Sequence, residues 1–316
     1  MSGSIHASPS AEAVGPAIAT GPRAAAASPS REAWRRFRKH RLAVVSLFVL
    51  AAIVLAIVLG PYVWRFSVSD IDFGATLKGP SWAHPLGTDD LGRDLLARLI
   101  FGGKISLAVG LAAMFVAVFV GVVIGAVSGM ASGRIDAALM WMTDMFLSLP
   151  QLPLLLLLIY LFRPALKEAL GPQGGVFLLI VIVIGGLRWM PLARLVRAQF
   201  LSIREKEFVE AARALGASRM RLVARHILPN ALGPVIVAGT IEVANAIIAE
   251  STLSFLGLGF PPDVPSWGRV LFDAKDYLDI APHWALSAGL AIFLAVLTIN
   301  FIGDGLRDAL DPRRVI

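Results

Sequence analysis

Four charged or polar side chains lie inside or near long apolar stretches of this sequence: Asp144, Arg188, Glu242 and Asn300. A charged group at the centre of a membrane helix costs about 2.5–3.5 kcal/mol on insertion scales, so such groups indicate ion pairs or a pathway for polar solutes. Glu242 lies nearest the middle of its stretch and is the best candidate for a translocation pathway. The alternative is an ion pair with a basic residue of another helix or of a sister subunit. We interpret Asp144 and Arg188 as structural.

A second set of polar groups forms a charged segment between two apolar stretches, "EFVEAARALGASRMRLVARHILPN" at residues 207–230. Helical spacing predicts one apolar stripe made of Phe208, Ala211, Ala212 and Leu215. The other side carries Glu207, Glu210 and Arg213. Gly216 is predicted to end this helix and Ser218 to cap a second one. Two short helices of this kind must place their stripe on lipid, on their own bundle or in the groove of a partner.

The sequence lacks several motifs that are typical of catalytic sites. The sequence contains no G-x-x-x-x-G-K-[ST] phosphate loop, no H-E-x-x-H and no G-x-S-x-G. It has no cysteine, and its five histidines are dispersed, so no metal site is predicted. An intramembrane hydrolase would need a Ser/His or paired Asp constellation at membrane depth, which is not found. A passive channel would not need the helix–Gly–helix segment.

The composition predicts that a bilayer surrounds most of this chain. Of its 316 residues 57% are hydrophobic and only 16% charged, against about 25% charged in soluble domains. Hydropathy predicts an all-α integral membrane protein with six transmembrane helices. Their predicted ranges are 42–59, 105–130, 137–162, 176–196, 231–251 and 285–302, each long enough to cross about 30 Å of hydrocarbon.

The flanking segments predict the orientation. Residues 1–30 are interpreted as a disordered cytoplasmic tail, and 31–41 either as a basic amphipathic helix on the membrane surface or as a solvated charge run. The segment 42–306 is the transmembrane domain, and 307–316 is a second cytoplasmic tail. Positive charge is dense before the first span, at 204–225 and at the C-terminal end, so six spans place all three segments and both termini in the cytoplasm.

The first external loop holds a predicted cap. Thr88 is expected to begin a surface helix carrying Leu91, Leu95, Leu96 and Leu99. Asp89, Asp90 and Asp94 do not have the spacing of a calcium-binding EF-hand loop.

Four segments carry a resemblance to a known family. "EAARALG…HILP" resembles the EAA motif of bacterial ABC-importer permeases, with matches at Glu210, Ala211, Ala212, Gly216, Leu228 and Pro229. His226 stands where isoleucine is usual, a variation compatible with the peptide-importer branch. The segments "HPLGTDDLGRDLLARLIFGGKISLAVG" (84–110), "STLSFLGLGFPPDVPSWG" (251–268) and "GDGLRDALDP" (303–312) resemble that branch too. The resemblance covers nearly everything after residue 31 and is closest to the C-type permease subunit of oligopeptide/dipeptide transporters.

The resemblance implies a type I ABC importer permease fold and a role without catalysis. It implies that 204–230 is a coupling loop docking on a cytoplasmic ATPase, with contacts from Glu207, Glu210, Ala211, Ala212, Arg213 and Gly216. ATP and Mg would be bound by two separate ATPase subunits. The same resemblance implies a heterodimer with a B-type permease in the bacterial cytoplasmic (inner) membrane, and no nucleic acid partner.

The external side is expected to meet a substrate-binding protein. Its candidate contacts are Trp267, Phe272 and Tyr277, although aromatic residues there are also typical of the interfacial belt. Peptides are the leading substrate class, and glutathione, nickel chelates and opines are the alternatives that related permeases imply.

Overall fold

The computed structural model describes residues 29–131 and 133–310, which form helices joined by turns and by one long, mostly irregular segment at 64–94. The helices are α1 (Pro29–Phe37), α2 (Arg41–Val63), α3 (Leu95–Met130), α4 (Arg134–Ser148), α5 (Gln151–Gly186), α6 (Trp189–Ile203), α7 (Glu207–Ala214), α8 (Arg219–Arg221), α9 (Leu228–Phe255), α10 (Trp267–Ala274) and α11 (Pro282–Leu310). A π-helical segment, Leu222–Ile227, makes α8 and α9 continuous. The predicted tail 1–30 lies almost wholly outside the described residues, and the tail 307–316 is described only to Leu310.

The all-α membrane fold is confirmed, but the count of six spans is not. Within the described residues, five helices are long and apolar enough to cross a membrane. They are Arg41–Val63, Leu95–Met130, Gln151–Gly186, Arg219–Phe255 and Pro282–Leu310. The difference arises between residues 134 and 203, where the predicted third and fourth spans are broken differently.

The helix α5 contains a sharp reversal at Gly171. This glycine has φ 77° and ψ 168°, outside the helical region. The arms on either side of it pack against each other, with Leu158 and Leu166 beside Leu179 and Val183. Pro150 separates α4 from the first arm, and Arg188 separates the second arm from α6. The chain therefore travels along the bundle through α4 and the first arm, and returns through the second arm and α6. We call these the two interrupted paths: α4 with the first arm of α5, and the second arm with α6. It stays a prediction that each of them crosses a membrane.

The bundle has two distinct ends, which we name by what they carry. The loop end carries residues 204–227, which precede α9, and the α10 end lies at the other terminus of α9. The helix α3 runs between them, since Gly102 approaches Pro265–Trp267 and Gly129 approaches Phe200. The described chain termini lie at the loop end, because Leu310 is near Gly233 at the start of α9.

A glycine seam on α3 joins it to α6. Gly121, Gly125 and Gly129 recur every four residues and lie on one face of α3. A Cβ atom on Gly125 would lie 2.5 Å from the carbonyl oxygen of Ala193. The two helices consequently pack backbone against backbone, which fixes the position at which α6 enters the loop end.

The first and last helices are clasped together at the loop end. Phe37 of α1, Ala43 of α2 and Ala309 of α11 form one buried cluster. A Cβ atom on Gly305 would lie 2.3 Å from the Cβ of Ala43, so only glycine permits this approach. The predicted helix at 31–41 exists as α1, and its buried contact is with α11. Its predicted position on a membrane surface stays a prediction.

Candidate functional site

The segment 204–227 folds as two short helices with a glycine between them, as the sequence predicts. The amide of Gly216 donates to the carbonyl of Arg213 and the amide of Ala217 to that of Ala212, at 3.0 and 3.1 Å, which is the hydrogen-bond pattern of a Schellman C-cap. Gly216 has φ 83°, a left-handed conformation that a side chain disfavours. Ser218 caps α8 by accepting from the amide of Arg221. These local bonds fix the angle between α7 and α8.

The helix α7 divides its apolar residues between two faces, where the sequence predicted one stripe. Val209 is fully buried and Ala212 half-buried in a cluster with Phe200 and Ile227. The outward set keeps large exposed fractions, with Phe208 of α7 46% exposed, Leu215 at its end 89% exposed, and Met220 of α8 76% exposed. Ala212 faces the buried side of α7 because it lies only about 60° from Val209 around the helix. Phe208 and Leu215 lie farther from Val209 around the helix and therefore face outward.

Charged side chains surround the exposed apolar set. Glu207, Glu210 and Arg213 are exposed, as is Ala211 between them. Among the residues that the structure describes, none forms an ion pair with these three charges. The surface thus combines exposed apolar side chains with charges that have no ion-pair partner among the described residues. The assignment of these residues to ATPase contact stays a prediction.

A hydrogen-bonded clamp holds the loop end on the bundle. Nε and Nη2 of Arg197 each donate to a different oxygen of Asp136 at 2.6 Å, and Ser128 Oγ also donates to Asp136. These hydrogen bonds, with the Arg197 one largest, lower the pKa of Asp136 to about 2. Arg204 donates to the carbonyl of Gly129 at 3.0 Å. Therefore α3, α4 and α6 are joined immediately before the chain enters α7.

Glu242 faces a basic residue of another segment of the same chain. Its Oε2 lies 3.4 Å from Nη1 of Arg188, and Asn245 approaches its other oxygen at 3.5 Å. Arg188 occupies the break between α5 and α6. The structure therefore contains the ion pair that the sequence left as an alternative. Asp144 is paired with Arg194, and the pathway role of Glu242 stays a prediction.

The three aromatic candidates at the α10 end differ in accessibility. Trp267 is only 2% exposed, and its Nε1 donates to the carbonyl of Leu99 at 2.9 Å. Its side chain belongs to the core because α10 begins with its first turn against α3, so it presents almost no surface to a partner. Phe272 lies half-buried between Arg269 and Lys275. Tyr277 is also half-buried and stacks on Trp284 with centroids 5.4 Å apart.

An ionic network at the α10 end was missed by the sequence analysis. Buried Arg98 lies 3.4 Å from Asp89 and 3.0 Å from Asp273. Burial raises the pKa of Asp273 although Arg269 and Arg98 lie beside it. An arginine in the first turn of an apolar helix was the available signal, but one of its partners, Asp273, lies 175 positions away in the sequence.

The predicted cap of this region was also wrong. Asp94 caps α3, which begins at Leu95, by accepting from the amide of Ala97 at 2.8 Å. Thr88 is instead buried and donates to the carbonyl of Ala75. The sequence offered several residues of capping type, and tertiary contacts determined which one was used.

Comparison with known families finds two matching models. The model for "binding-protein-dependent transport system inner membrane component" matches residues 121–316. The model for "N-terminal TM domain of oligopeptide transport permease C" matches residues 28–80.

Several curated proteins are similar over most of their length. The oligopeptide transport system permease protein OppC of Salmonella typhimurium is 45% identical, covering 90% of this chain and 91% of that protein. The dipeptide transport system permease protein DppC of Alkalihalophilus pseudofirmus is 37% identical, covering 91% of each. A putative peptide permease protein of Brucella suis is 40% identical over 99% of both chains.

Among solved structures, an inward-facing conformation of the MetNI methionine ABC transporter has a similar fold. The match has a TM-score of 0.55 and covers 67% of this chain and 96% of that one. At 21% identity it shows the fold alone.

Proposed function

Since this chain belongs to the family of binding-protein-dependent transport system inner membrane components, we propose that it forms half of the pathway of an ABC importer for di- or oligopeptides. The names of its relatives support peptides over glutathione, nickel chelates or opines. The single observation that carries the mechanism is the exposed surface of α7, where apolar side chains lie beside charges that form no ion pair within 29–131 and 133–310.

In this proposal the loop end docks on a separate cytoplasmic ATPase. Leu215 and Phe208 supply apolar area, and Glu210 and Arg213 supply polar contacts at the rim. The small side chain of Ala211 permits close approach, and Gly216 holds the bend. ATP and Mg are bound by two ATPase subunits, so ATP hydrolysis takes place in partner chains and this chain has no catalytic role.

The transport cycle then follows from differential affinity. ATP favours the closed pair of ATPases, and closing moves the two docked loops together. The clamp of Asp136, Arg197 and Ser128 passes this movement from α7 to α3, α4 and α6. A B-type permease completes the pathway, and Glu242 with Arg188 is proposed to line it.

The proposed topology places the loop end in the cytoplasm. Both described termini lie at that end with α7, and the segments around them are rich in arginine. Six crossings result if both interrupted paths between residues 134 and 203 traverse the bilayer. The α10 end then lies outside, where Phe272 and Tyr277 are available to a substrate-binding protein and Trp267 supports them from the core.

The test is reconstitution of the chain with its partner permease, ATPases and binding protein in proteoliposomes. We expect ATP-dependent uptake of labelled di- or oligopeptides and co-purification of the ATPase with the permease pair. Uptake of glutathione or a nickel chelate in preference to peptides would contradict the substrate assignment. Solute flux that is independent of ATP and of any ATPase would contradict the importer assignment.

A further inference from the structure

A buried carboxyl group at the α10 end has no role in the function described so far. Glu250, on α9, is 0% exposed, and no basic side chain in 29–131 or 133–310 pairs with it. Three serine hydroxyls donate to it instead. Its Oε1 accepts from Ser254 at 2.7 Å and from Ser266 at 2.6 Å, and its Oε2 accepts from Ser106 at 3.1 Å. The three donors come from α9, from the residue before α10, and from α3.

Two of these hydroxyls also hold the first turn of α10. Ser266 Oγ accepts from the amide of Arg269 at 3.1 Å, and Ser106 Oγ accepts from the amide of Trp267 at 3.2 Å. A hydroxyl has one hydrogen and two acceptor positions, so donating to Glu250 leaves each oxygen free to accept these amides. Glu250 therefore orients the groups that attach α10 to the bundle. We name Glu250, Ser106, Ser254 and Ser266 the carboxyl–serine cluster.

Close backbone packing surrounds the carboxyl–serine cluster. A Cβ atom on Gly268 of α10 would lie 2.5 Å from Cα of Ser251 on α9. A Cβ on Gly102 of α3 would lie 3.2 Å from the carbonyl carbon of Ser266. Because Gly268 and Gly102 have no side chain, the backbone of α10 packs directly on α9 and the residue before α10 packs directly on α3. The hydrogen bonds of Glu250 then fix the orientation of α10 relative to these two helices.

The helix α9 connects the carboxyl–serine cluster to the loop end. It is continuous with the π segment Leu222–Ile227 and with α8, which follows Gly216. From Leu228 to Glu250 the helix extends about 33 Å at about 1.5 Å per residue. Because α10 is rigidly attached to α9, a movement of α10 also moves α9. That movement therefore reaches the loop end, which immediately precedes α9.

From this arrangement we propose that Glu250 is a positioning residue that makes α10 and α9 move as one body, so that a binding protein on the α10 end stimulates the ATPase at the loop end. This inference rests on the proposed function. Coupling of two sites requires an element whose position both sites influence, and α9 with α10 attached has that property. Without the carboxyl–serine cluster, docking would move α10 alone.

The test measures ATPase stimulation in the complete transporter. Substrate-loaded binding protein is titrated against reconstituted complexes carrying Glu250→Ala, Glu250→Gln or Ser106→Ala. We expect Glu250→Ala to reduce the stimulated increment at least tenfold while the unstimulated rate stays within twofold of the wild type. Glu250→Gln should restore part of the increment, because its amide oxygen still accepts from Ser254 and Ser266. Ser106→Ala, which removes one donor, should give an intermediate loss.

A matched control and a second measurement separate coupling from simple damage. Thr298→Val removes a buried hydroxyl of α11 that bonds only to its own helix, and it should leave stimulation unchanged. The chain has no cysteine, so spin labels at Asp276→Cys and Ile236→Cys report the distance between the α10 end and α9. We expect a narrow distance distribution in the wild type and one at least twice as wide in Glu250→Ala.

The outcomes are distinguishable. Stimulation that survives Glu250→Ala within twofold, or a distance distribution that stays narrow, overturns the inference. Stimulated and unstimulated rates that fall together with the yield of folded complex also overturn it, since they indicate a structural role only. A wild-type complex that never responds to the binding protein refutes the proposed function instead.

Discussion

The two ends of the bundle use their charged residues in opposite ways. At the α10 end, buried Arg98 is paired with buried Asp89 and half-buried Asp273, and three hydroxyls satisfy Glu250. At the loop end, Glu207, Glu210 and Arg213 are exposed without ion-pair partners among the described residues. One end is therefore complete within the chain, whereas the other is suited to a partner. Substitutions in the Arg98 network should therefore affect stability, and substitutions on the exposed surface of the loop end should affect coupling.

The largest effect is expected from Arg98→Ala at the α10 end. Removing one member of a buried charge network leaves its partners without a compensating charge, and it lowers the free energy of unfolding by about 3–5 kcal/mol. The remaining pairs of Asp89 with Arg93 and Asp273 with Arg269 should keep the loss near the lower figure. Thermal unfolding in detergent, followed by tryptophan fluorescence, measures it. The control Asp276→Ala breaks an exposed pair and should cost less than about 1 kcal/mol. Equal losses would mean that the α10 end does not depend on its buried network.

Glu210→Lys should affect the loop end without affecting unfolding. Reversing a charge at a docking surface can cost several kcal/mol through like-charge contact. We expect loss of the ATPase on co-purification, with an unfolding midpoint equal to that of the wild type. Glu205→Lys reverses an exposed charge just before α7 and serves as the control. If Glu210→Lys retains wild-type coupling, the loop is not the transmitting element.

Gly216→Val should have a smaller effect at the same end. A β-branched residue at φ 83° costs about 1–3 kcal/mol of local strain, although open space surrounds the site. The angle between α7 and α8 should change, so ATP hydrolysis should continue while peptide uptake per ATP falls. The ratio of uptake to hydrolysis in proteoliposomes measures this. Gly233→Ala, with a non-positive φ and room for a methyl group, is the control.

The smallest effect concerns pH and the clamp of the loop end. Because the folded-state pKa of Asp136 is about 2, below its ordinary value of 3.8, its ion pair stabilises fully above about pH 4. That contribution is lost as the pH falls through about 2, and solvent screening should limit it to about 1 kcal/mol. Asp136→Asn should remove this part of the pH dependence of unfolding. A mutant whose unfolding midpoint falls between about pH 5 and about 2 as much as that of the wild type would contradict the assignment.

Local features of the loop end could be predicted from sequence, while distant contacts at the α10 end could not. The bend at Gly216 and the cap at Ser218 depend on bonds between residues a few positions apart, and both were predicted. Glu250 was missed because two of its donors, Ser106 on α3 and Ser266 just before α10, lie outside its own helix. Pro150, which separates α4 from α5, belongs to a residue type that commonly ends helices, but the reversal at Gly171 depends on packing between two apolar arms. Hydropathy alone contains no information on that packing.

The clasp between the first and last helices has a consequence for biosynthesis. α2 packs on α11, the last described helix in chain order, so α2 must remain in the membrane without this partner until α11 has been made. After Arg41 the helix has no charged residue, so no buried charge is left unpaired during this interval. Closing the bundle is then a late, non-local event. Truncation before α11 should leave a chain that inserts but does not close, and whose α2 exposes to lipid the face that α11 would cover while it still packs on α3.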